Sequence, residues 1–322
     1  MMKHNPRIVF MGTPEFAVPS LKILLENNYN IPAIVTIPDR QAGRGQKIQE
    51  SLVKQFAKEK GLHCLQPEKL KESAFLAELR NLKPDLIVVV AFRMLPEIVW
   101  SLPTFGTINL HASLLPNYRG AAPINWAIIN GEEETGLTTF FLQKEIDTGR
   151  IIFQVKEPIL QTDNAGDLHD RLMLKGANLV LKTVEAIESG QYTPIDQSSL
   201  FNNEKVFKSA PKIFRENCEI HWENSGREIQ NLIRGLSPYP GAWCKIKDES
   251  GMQSILKIFY SEYISEPDNA APGDMVTDGK SFLRIAVKDG FLNLLSLQLE
   301  GKKRMSIAEF LHGQQNLQKL SF

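Results

Sequence analysis

The sequence predicts a doubly wound, mostly parallel α/β sheet followed by a smaller β-barrel. Short β-branched runs alternate with helical patterns over the first two-thirds of the chain, the rhythm of a parallel sheet wound with helices. One run, residues 85–90 (DLIVVV), is apolar after its first residue, as a central strand covered on both faces must be. Beyond about residue 240 the helical patterns give way to short alternating segments, which build a small sheet or barrel.

Taken in order, residues 7–10 (RIVF) read as a first strand, followed by MGTPEF and an amphipathic helix through Leu25. Residues 33–37 (AIVTI) are a second strand, 49–60 a helix, 62–65 a short strand and 68–82 a helix. After the central strand come a strand at 107–111 (TINLH), a helix near 122–129, strands at 138–142 and 151–155, and a long helix from about 163 to 188. Residues 191–211 turn polar, with Ser, Asn and two prolines, and read as a linker. The expected division is a first domain of residues 1–190, this linker, and a second domain of residues 212–322. The second domain holds a helix near 225–236 and strands near 254–260, 275–276, 283–287 and 292–299.

The chain has 322 residues, 37 basic against 37 acidic. Bulk attraction to nucleic acid is thereby excluded, while a local basic patch is not. Three cysteines, Cys64, Cys218 and Cys244, lie far apart with no CxxC pair, so neither a zinc site nor a disulfide framework has support. The opening MMKHNPRIVF lacks the apolar core of a secretory signal. The longest wholly apolar run, residues 86–92, is far short of the ~20 residues a membrane helix needs. A soluble, cytoplasmic protein is expected.

In an open parallel sheet, ligands collect at the carboxyl ends of the strands. Gly12 and Thr13 follow the first strand, but no GxGxxG accompanies them, and Gly43-Arg44-Gly45 stands after the second strand. With no Walker motif either, nicotinamide and nucleoside-triphosphate sites are poorly supported. Asn109 and His111 are two residues apart on a strand, so both side chains leave one face of the sheet. The pattern alone leaves two readings open. One is a hydrogen-bonded structural pair. The other is an amide donor and an imidazole converging on a carbonyl, able to hold an oxyanion and shuttle a proton. Asp147, in IDTG, lies in a turn and on its own is a turn former.

The stretch GTINLHASLLPNYRGAAPINWAIINGEEETGLTTFFLQKEIDTGRII carries three separated elements, Asn-x-His, SLLPxYRG and Asp-Thr-Gly, and closely resembles the folate-dependent formyltransferase family. RIVFMGTPEFAVPSL and PDRQAGRGQKIQESLVKQFAKEKG extend the resemblance toward the amino terminus. IHWENSGREIQNLIRGLSPYPGAW and RMSIAEFLHG extend it through the second domain, which singles out the branch whose acceptor is a charged tRNA.

The resemblance implies a Rossmann-like catalytic domain and an OB-like tRNA-binding domain. The α-amine of methionine, esterified to initiator tRNA, would attack the formyl carbon of 10-formyltetrahydrofolate. It assigns catalysis to Asn109, His111 and Asp147: Asn109 donating to the oxyanion, Asp147 orienting His111, and no metal taking part. The folate would lie against Phe92, Met94 and Leu95 and along Ser113, Leu114, Leu115 and Pro116. Arg40, Arg44 and Lys47 would meet the acceptor stem of the tRNA, although by composition such a charged loop is simply solvated. The second domain has 15 basic against 14 acidic residues from Lys208 on, and Lys302-Lys303-Arg304 is its sharp basic cluster. No membrane partner and a monomeric state are expected.

Competing readings are the same folate chemistry on a sugar nucleotide or purine precursor, hydrolysis of the formyl group, a nicotinamide oxidoreductase, and a non-enzymatic RNA-binding module. The SPYPGAW element of the second domain argues for tRNA. The missing glycine fingerprint argues against the oxidoreductase, and the trio would be purposeless in a binding module. His63, His169 and His221 read as isolated histidines, Cys64 as a core thiol, and Trp126 and Trp243 as packing aromatics.

Overall fold

A computed structural model describes residues 5–42, 47–200, 207–247, 251–266 and 269–313. The chain divides into two units.

The first unit comprises the residues up to Gly120, Glu134–Pro158 and His169–Ser209. Its sheet contains β1 (Arg7–Gly12), β2 (Asn30–Val35), β3 (Cys64–Leu65), β4 (Leu86–Val90), β5 (Thr107–His111), β6 (Glu134–Phe141) and β7 (Ile151–Pro158), in the spatial order β7-β6-β5-β4-β1-β2-β3. The five strands from β5 to β3 run parallel, and β6 and β7 add an antiparallel ribbon at the β5 edge. On chain entry to the fold, α1 (Val18–Glu26) buries Leu21 and Leu24. Helix α2 (Leu52–Glu59) starts later than the periodicity predicts, because Ser51 caps it by accepting the Lys54 N–H at 3.1 Å. All five residues of β4 are buried, as in a strand covered on both faces. One face packs Val9, Met11, Val35, Ile87 and Val89 against Phe75, Leu76 and Leu79 of helix α3 (Ser73–Asn81), and Val99 of the short helix α4 (Glu97–Trp100) joins the same cluster.

Two further differences from the sequence reading concern the connections. The backbone of Arg40–Ala42 pairs antiparallel with Lys47–Gln49, so two short strands flank the part of the expected basic loop that lies outside the described residues. Arg44 lies outside the described residues. The stretch read as a linker begins within the first unit: Ile195 exchanges two 2.8 Å backbone hydrogen bonds with Ile151, and Gln197 is buried in a 3-10 turn, Gln197–Leu200.

The second unit comprises Ala121–Glu133, Ile159–Leu168 and the chain from Ala210 on. Helix α5 (Pro123–Ile129), which the sequence places in the wound sheet, belongs to this unit. A long helix, α6 (Ala165–Ser189), belongs to this unit through Leu168 and to the first unit from His169 on. Strands β8 (Ala242–Lys247), β9 (Gln253–Ile264), β10 (Met275–Thr277), β11 (Leu283–Val287) and β12 (Gly290–Leu299) form an antiparallel sheet in the order β8-β9-β12-β11-β10. It closes over α7 (Gly226–Leu236), which buries Ile229, Ile233 and Leu236 against Leu256, Ile258, Leu292 and Leu294. Ser225 and Glu228 fix the start of α7 in a reciprocal capping box. Asn125 Nδ2 of α5 donates to the Gly235 carbonyl of α7 at 2.8 Å. Among the described residues, no helix is long and apolar enough to cross a membrane.

Candidate active site

The carboxyl ends of three parallel strands lie side by side in the first unit. Gly12 of β1 pairs with Val90 of β4, and Val90 pairs with Leu110 of β5. Strand order reverses at β1, the place at which open α/β sheets bind ligands outside the carboxyl ends of their strands.

Strand β5 supplies Asn109 and His111. His111 is 6% exposed and needs partners for both ring nitrogens. Its Nε2 lies 2.8 Å from the Tyr118 carbonyl. A carbonyl only accepts, so Nε2 carries a proton and donates. The neutral ring then keeps its free lone pair on Nδ1, which faces Asp147 Oδ2 at 3.8 Å. That distance suits an ion pair but exceeds a hydrogen bond. The ring is therefore fixed by the Tyr118 carbonyl, with Asp147 as a neighbouring charge. Among the described residues none hydrogen-bonds the half-buried Asn109 side chain, whose amide stays available as a donor.

Asp147 is brought in by the turn between β6 and β7. Its φ is +53°, a left-handed conformation that a non-glycine residue adopts only when its surroundings impose it. Its Oδ2 accepts the Gly120 N–H at 3.0 Å. The turn closes so tightly that a Cβ on Gly149 would stand 1.6 Å from the Phe141 carbonyl oxygen, which explains the glycine of IDTG sterically. Gln197 seals the turn from below: its Nε2 donates to the Asp147 and Gly149 carbonyls at 2.9 and 2.8 Å, while its Oε1 accepts from Arg119 Nε and Nη2 at 3.1 and 2.5 Å. Burial lowers the Arg119 pKa from its usual value, and the nearby Asp147 charge opposes the shift.

The segment after β5 is held in an irregular path by β6 and β7. Thr138 Oγ1 donates to the Ser113 carbonyl at 2.6 Å and accepts the Leu115 N–H at 3.2 Å. Gln154 Nε2 donates to the Leu115 carbonyl at 2.8 Å and to Thr138 Oγ1 at 2.9 Å. Ser113 Oγ donates to the Asn117 carbonyl at 2.7 Å. Ala91 (φ +47°) and Tyr118 (φ +58°) share the left-handed conformation of Asp147.

Of the residues expected along the folate, Leu95, Ser113, Leu115 and Pro116 are buried. Phe92 and Leu114 are half-buried and Met94 is 76% exposed. Thr138, Gln154, Arg119 and Gln197 were not singled out from the sequence. Arg119 stood within the SLLPxYRG element, but nothing in the sequence pairs it with Gln197, 78 residues on.

The expected tRNA-facing residues are spread over both units. Arg40 is exposed at the start of its short strand, and Lys302 and Lys303 are exposed after β12. Arg304 is also exposed, but its guanidinium lies 4.5 and 5.1 Å from the Phe259 and Tyr260 ring centroids and donates to Ser296 Oγ at 2.9 Å. The single residues fit the bland expectation in part. His169 stands edge-on to Phe16, His63 meets Glu78 at 3.0 Å and Trp243 is buried. Cys64 is half-buried at the sheet edge, short of a core position.

An open sheet that carries an amide, an oriented imidazole and a carboxylate at its strand ends has the chemical means to stabilise an oxyanion and relay a proton, as transfer of an acyl-type group requires. The formyl transferase family model matches residues 6–184, and the formyl transferase C-terminal domain matches residues 212–315. The chain belongs to the formyl transferase family. It is 54% identical over 313 residues to a methionyl-tRNA formyltransferase of Bacteroides thetaiotaomicron, covering 97% of each chain. It is 53% identical over 307 residues to one of Flavobacterium johnsoniae, covering 95% of this chain and 96% of that one. Among solved structures, an N-formyltransferase from Helicobacter canadensis in complex with folinic acid and dTDP-3-aminofucose shares the fold with a TM-score of 0.65. It has 22% identity, and the match covers 93% of this chain and 100% of that one. HypX from Aquifex aeolicus in complex with tetrahydrofolic acid gives a TM-score of 0.62 at 20% identity, over 95% of this chain and 47% of that one.

Proposed function

We propose that the chain transfers the formyl group of 10-formyltetrahydrofolate to the α-amino group of methionyl initiator tRNA. The reading is supported by full-length similarity to methionyl-tRNA formyltransferases and, within the site, by one observation above all. The His111 ring is locked with Nε2–H on the Tyr118 carbonyl and its basic Nδ1 beside Asp147, on the sheet face that also carries the unbonded Asn109 amide.

The roles follow from that arrangement. Asn109 donates to the oxyanion that develops on the formyl oxygen as the amine attacks. The new bond joins the amine nitrogen to the formyl carbon, and the bond from that carbon to N10 of the folate breaks. His111 Nδ1 takes the amine proton and returns it to N10, directly or through a water, while Asp147 balances the charge on the ring. Tyr118 and Gly120 hold His111 and Asp147 in register through their backbone groups.

The exposed Met94 and the backbone of Leu95, Ser113, Leu115 and Pro116, with Phe92 and Leu114 between them, form the wall against which the folate lies. Catalysis resides in residues 1–190 and tRNA binding in residues 212–322, with residues 191–211 between. Arg40, Arg44 and Lys47 meet the tRNA from the first part, and Lys302, Lys303 and Arg304 from the second. The enzyme works as a cytoplasmic monomer without a metal.

Single-turnover formyl transfer to methionyl initiator tRNA, with free methionine and uncharged tRNA as controls, tests this reading. Transfer to the charged tRNA alone supports it. Consumption of formyl-folate with no formylated tRNA would overturn the acceptor assignment and leave a hydrolase or another amine acceptor.

A further inference from the structure

We infer that Gln197 is a positioning residue that sets the separation of His111 and Asp147; this rests on the catalytic roles proposed above. Three observations carry it.

The first is connectivity. The two groups come from different segments: His111 is oriented by the Tyr118 carbonyl, and Asp147 sits in the turn after β6. Gln197 is bonded to both segments at once. Its amide N–H groups reach the carbonyls on either side of the turn, Asp147 and Gly149, and its amide oxygen takes two hydrogen bonds from Arg119, the residue after Tyr118. Arg119 is in turn followed by Gly120, whose N–H holds the Asp147 carboxylate. The result is a closed ring of bonds through Gln197, Arg119, Gly120 and Asp147, and Tyr118, whose carbonyl orients His111, is joined to it by one peptide bond.

The second is burial. Gln197 is 1% exposed, so its four hydrogen bonds replace those it would make with water, and no rotamer is free to trade them for solvent. The third is strain. Asp147, a member of the ring, and Tyr118, the residue before Arg119, both have positive φ without being glycine. Such conformations persist only where surrounding bonds over-determine them. Gln197 supplies two of those bonds at the Asp147 turn directly and acts on Tyr118 through Arg119.

Only an amide does this. It donates to two carbonyls with one end and accepts from a guanidinium with the other, and it adds no charge near Asp147. A glutamate in its place would satisfy Arg119 but set a carboxylate against two carbonyl oxygens. A methionine would keep the volume and lose every hydrogen bond.

The experiment compares Gln197→Met, Gln197→Glu and Asp147→Asn, singly and as the Gln197→Met/Asp147→Asn double variant, in the full chain. Formyl transfer is read as kcat, KM and the pH profile of kcat/KM, with thermal unfolding alongside. Gln197→Met is expected to lower kcat about 10- to 100-fold, as a misplaced catalytic pair does. Both KM values should stay within about threefold, and the pH profile should move. In the double variant, loss of the glutamine should cost little beyond Asp147→Asn alone, because a residue acting through Asp147 has nothing left to position.

Unchanged kcat and pH profile in Gln197→Met would overturn the inference, as would fully multiplicative losses in the double variant. A loss confined to unfolding temperature, with normal turnover per folded molecule, assigns Gln197 a structural role only and overturns it equally. Full activity of Asp147→Asn would instead remove the catalytic reading on which it stands, whatever the glutamine variants do.

Discussion

The Asn109 side chain has no hydrogen-bond partner among the described residues, an unusual position for an amide on a strand whose other residues are all buried. A free donor in a crevice is what oxyanion stabilisation asks for. Asn109→Ala is therefore expected to lower kcat by about 10²–10³-fold, roughly 3–4 kcal/mol of transition-state stabilisation, with folate binding little changed. Equilibrium folate binding alongside steady-state transfer separates the two effects, and near-normal transfer would remove the oxyanion role. His111 is anchored differently, by a backbone carbonyl, so its tautomer is set by the chain path from β5 to Tyr118. A histidine two residues after an asparagine can be read from sequence. Which of its nitrogens holds the proton cannot, because the acceptor is a main-chain group at a residue with positive φ.

The turn between β6 and β7 is where an element's shape decides what a residue can do. Gly149→Ala would press a Cβ to 1.6 Å from the Phe141 carbonyl oxygen, and the backbone there must move. The expected cost is about 1–3 kcal/mol or more, read as a lower unfolding temperature, with turnover falling further because Asp147 moves with the turn. Strand β7 carries a second test. Glu157 is 3% exposed and meets Arg171 Nε at 3.0 Å and Lys175 at still closer range. Burial alone would raise its pKa, but the hydrogen bonds from Lys175 and Arg171 outweigh burial and hold it below the usual carboxylate range. A depressed folded pKa means stability that is present above the unfolded value of about 4.3 and is lost as pH falls through the folded value. Glu157→Gln should therefore be less stable than the parent by about 2 kcal/mol at neutral pH. The gap should close as urea unfolding is repeated from pH 5 downward, and a gap independent of pH would exclude this account.

For the whole molecule, the net charge of zero places any attraction to tRNA in local clusters. Each of Arg40→Ala, Lys302→Ala and Lys303→Ala is expected to weaken tRNA binding and reduce the slope of log affinity against log salt by about 0.7–0.9 for every phosphate left without its cation. Formyl-folate affinity should not change. Arg304→Ala differs, because its guanidinium lies over Phe259 and Tyr260: it should lower the unfolding temperature as well. Titrations at several salt concentrations, with calorimetry on the same variants, check both statements. An unchanged salt slope in all three lysine and arginine variants would remove these residues from the tRNA surface.

The wound sheet was legible because its signals are local: RIVF and DLIVVV are apolar over consecutive residues, and a strand buried on both faces can only be written that way. Asn109, His111 and Asp147 were legible as a set through family resemblance, while spacing alone left the first two open to a structural reading and the last as a turn former. Three things were decided only by the folded chain. Helix α5 joined the second unit because its partner, α7, lies about a hundred residues downstream, and a periodic pattern says which face is apolar without saying what covers it. The polar stretch after α6 held a buried glutamine, since polarity marks exposure only where no partner is waiting. The sequence by itself determined the elements and the chemistry at hand. The tertiary structure decided which distant groups meet, because hydrogen bonds between Gln197, Arg119 and the Asp147 turn depend on distances across the fold that no local pattern encodes.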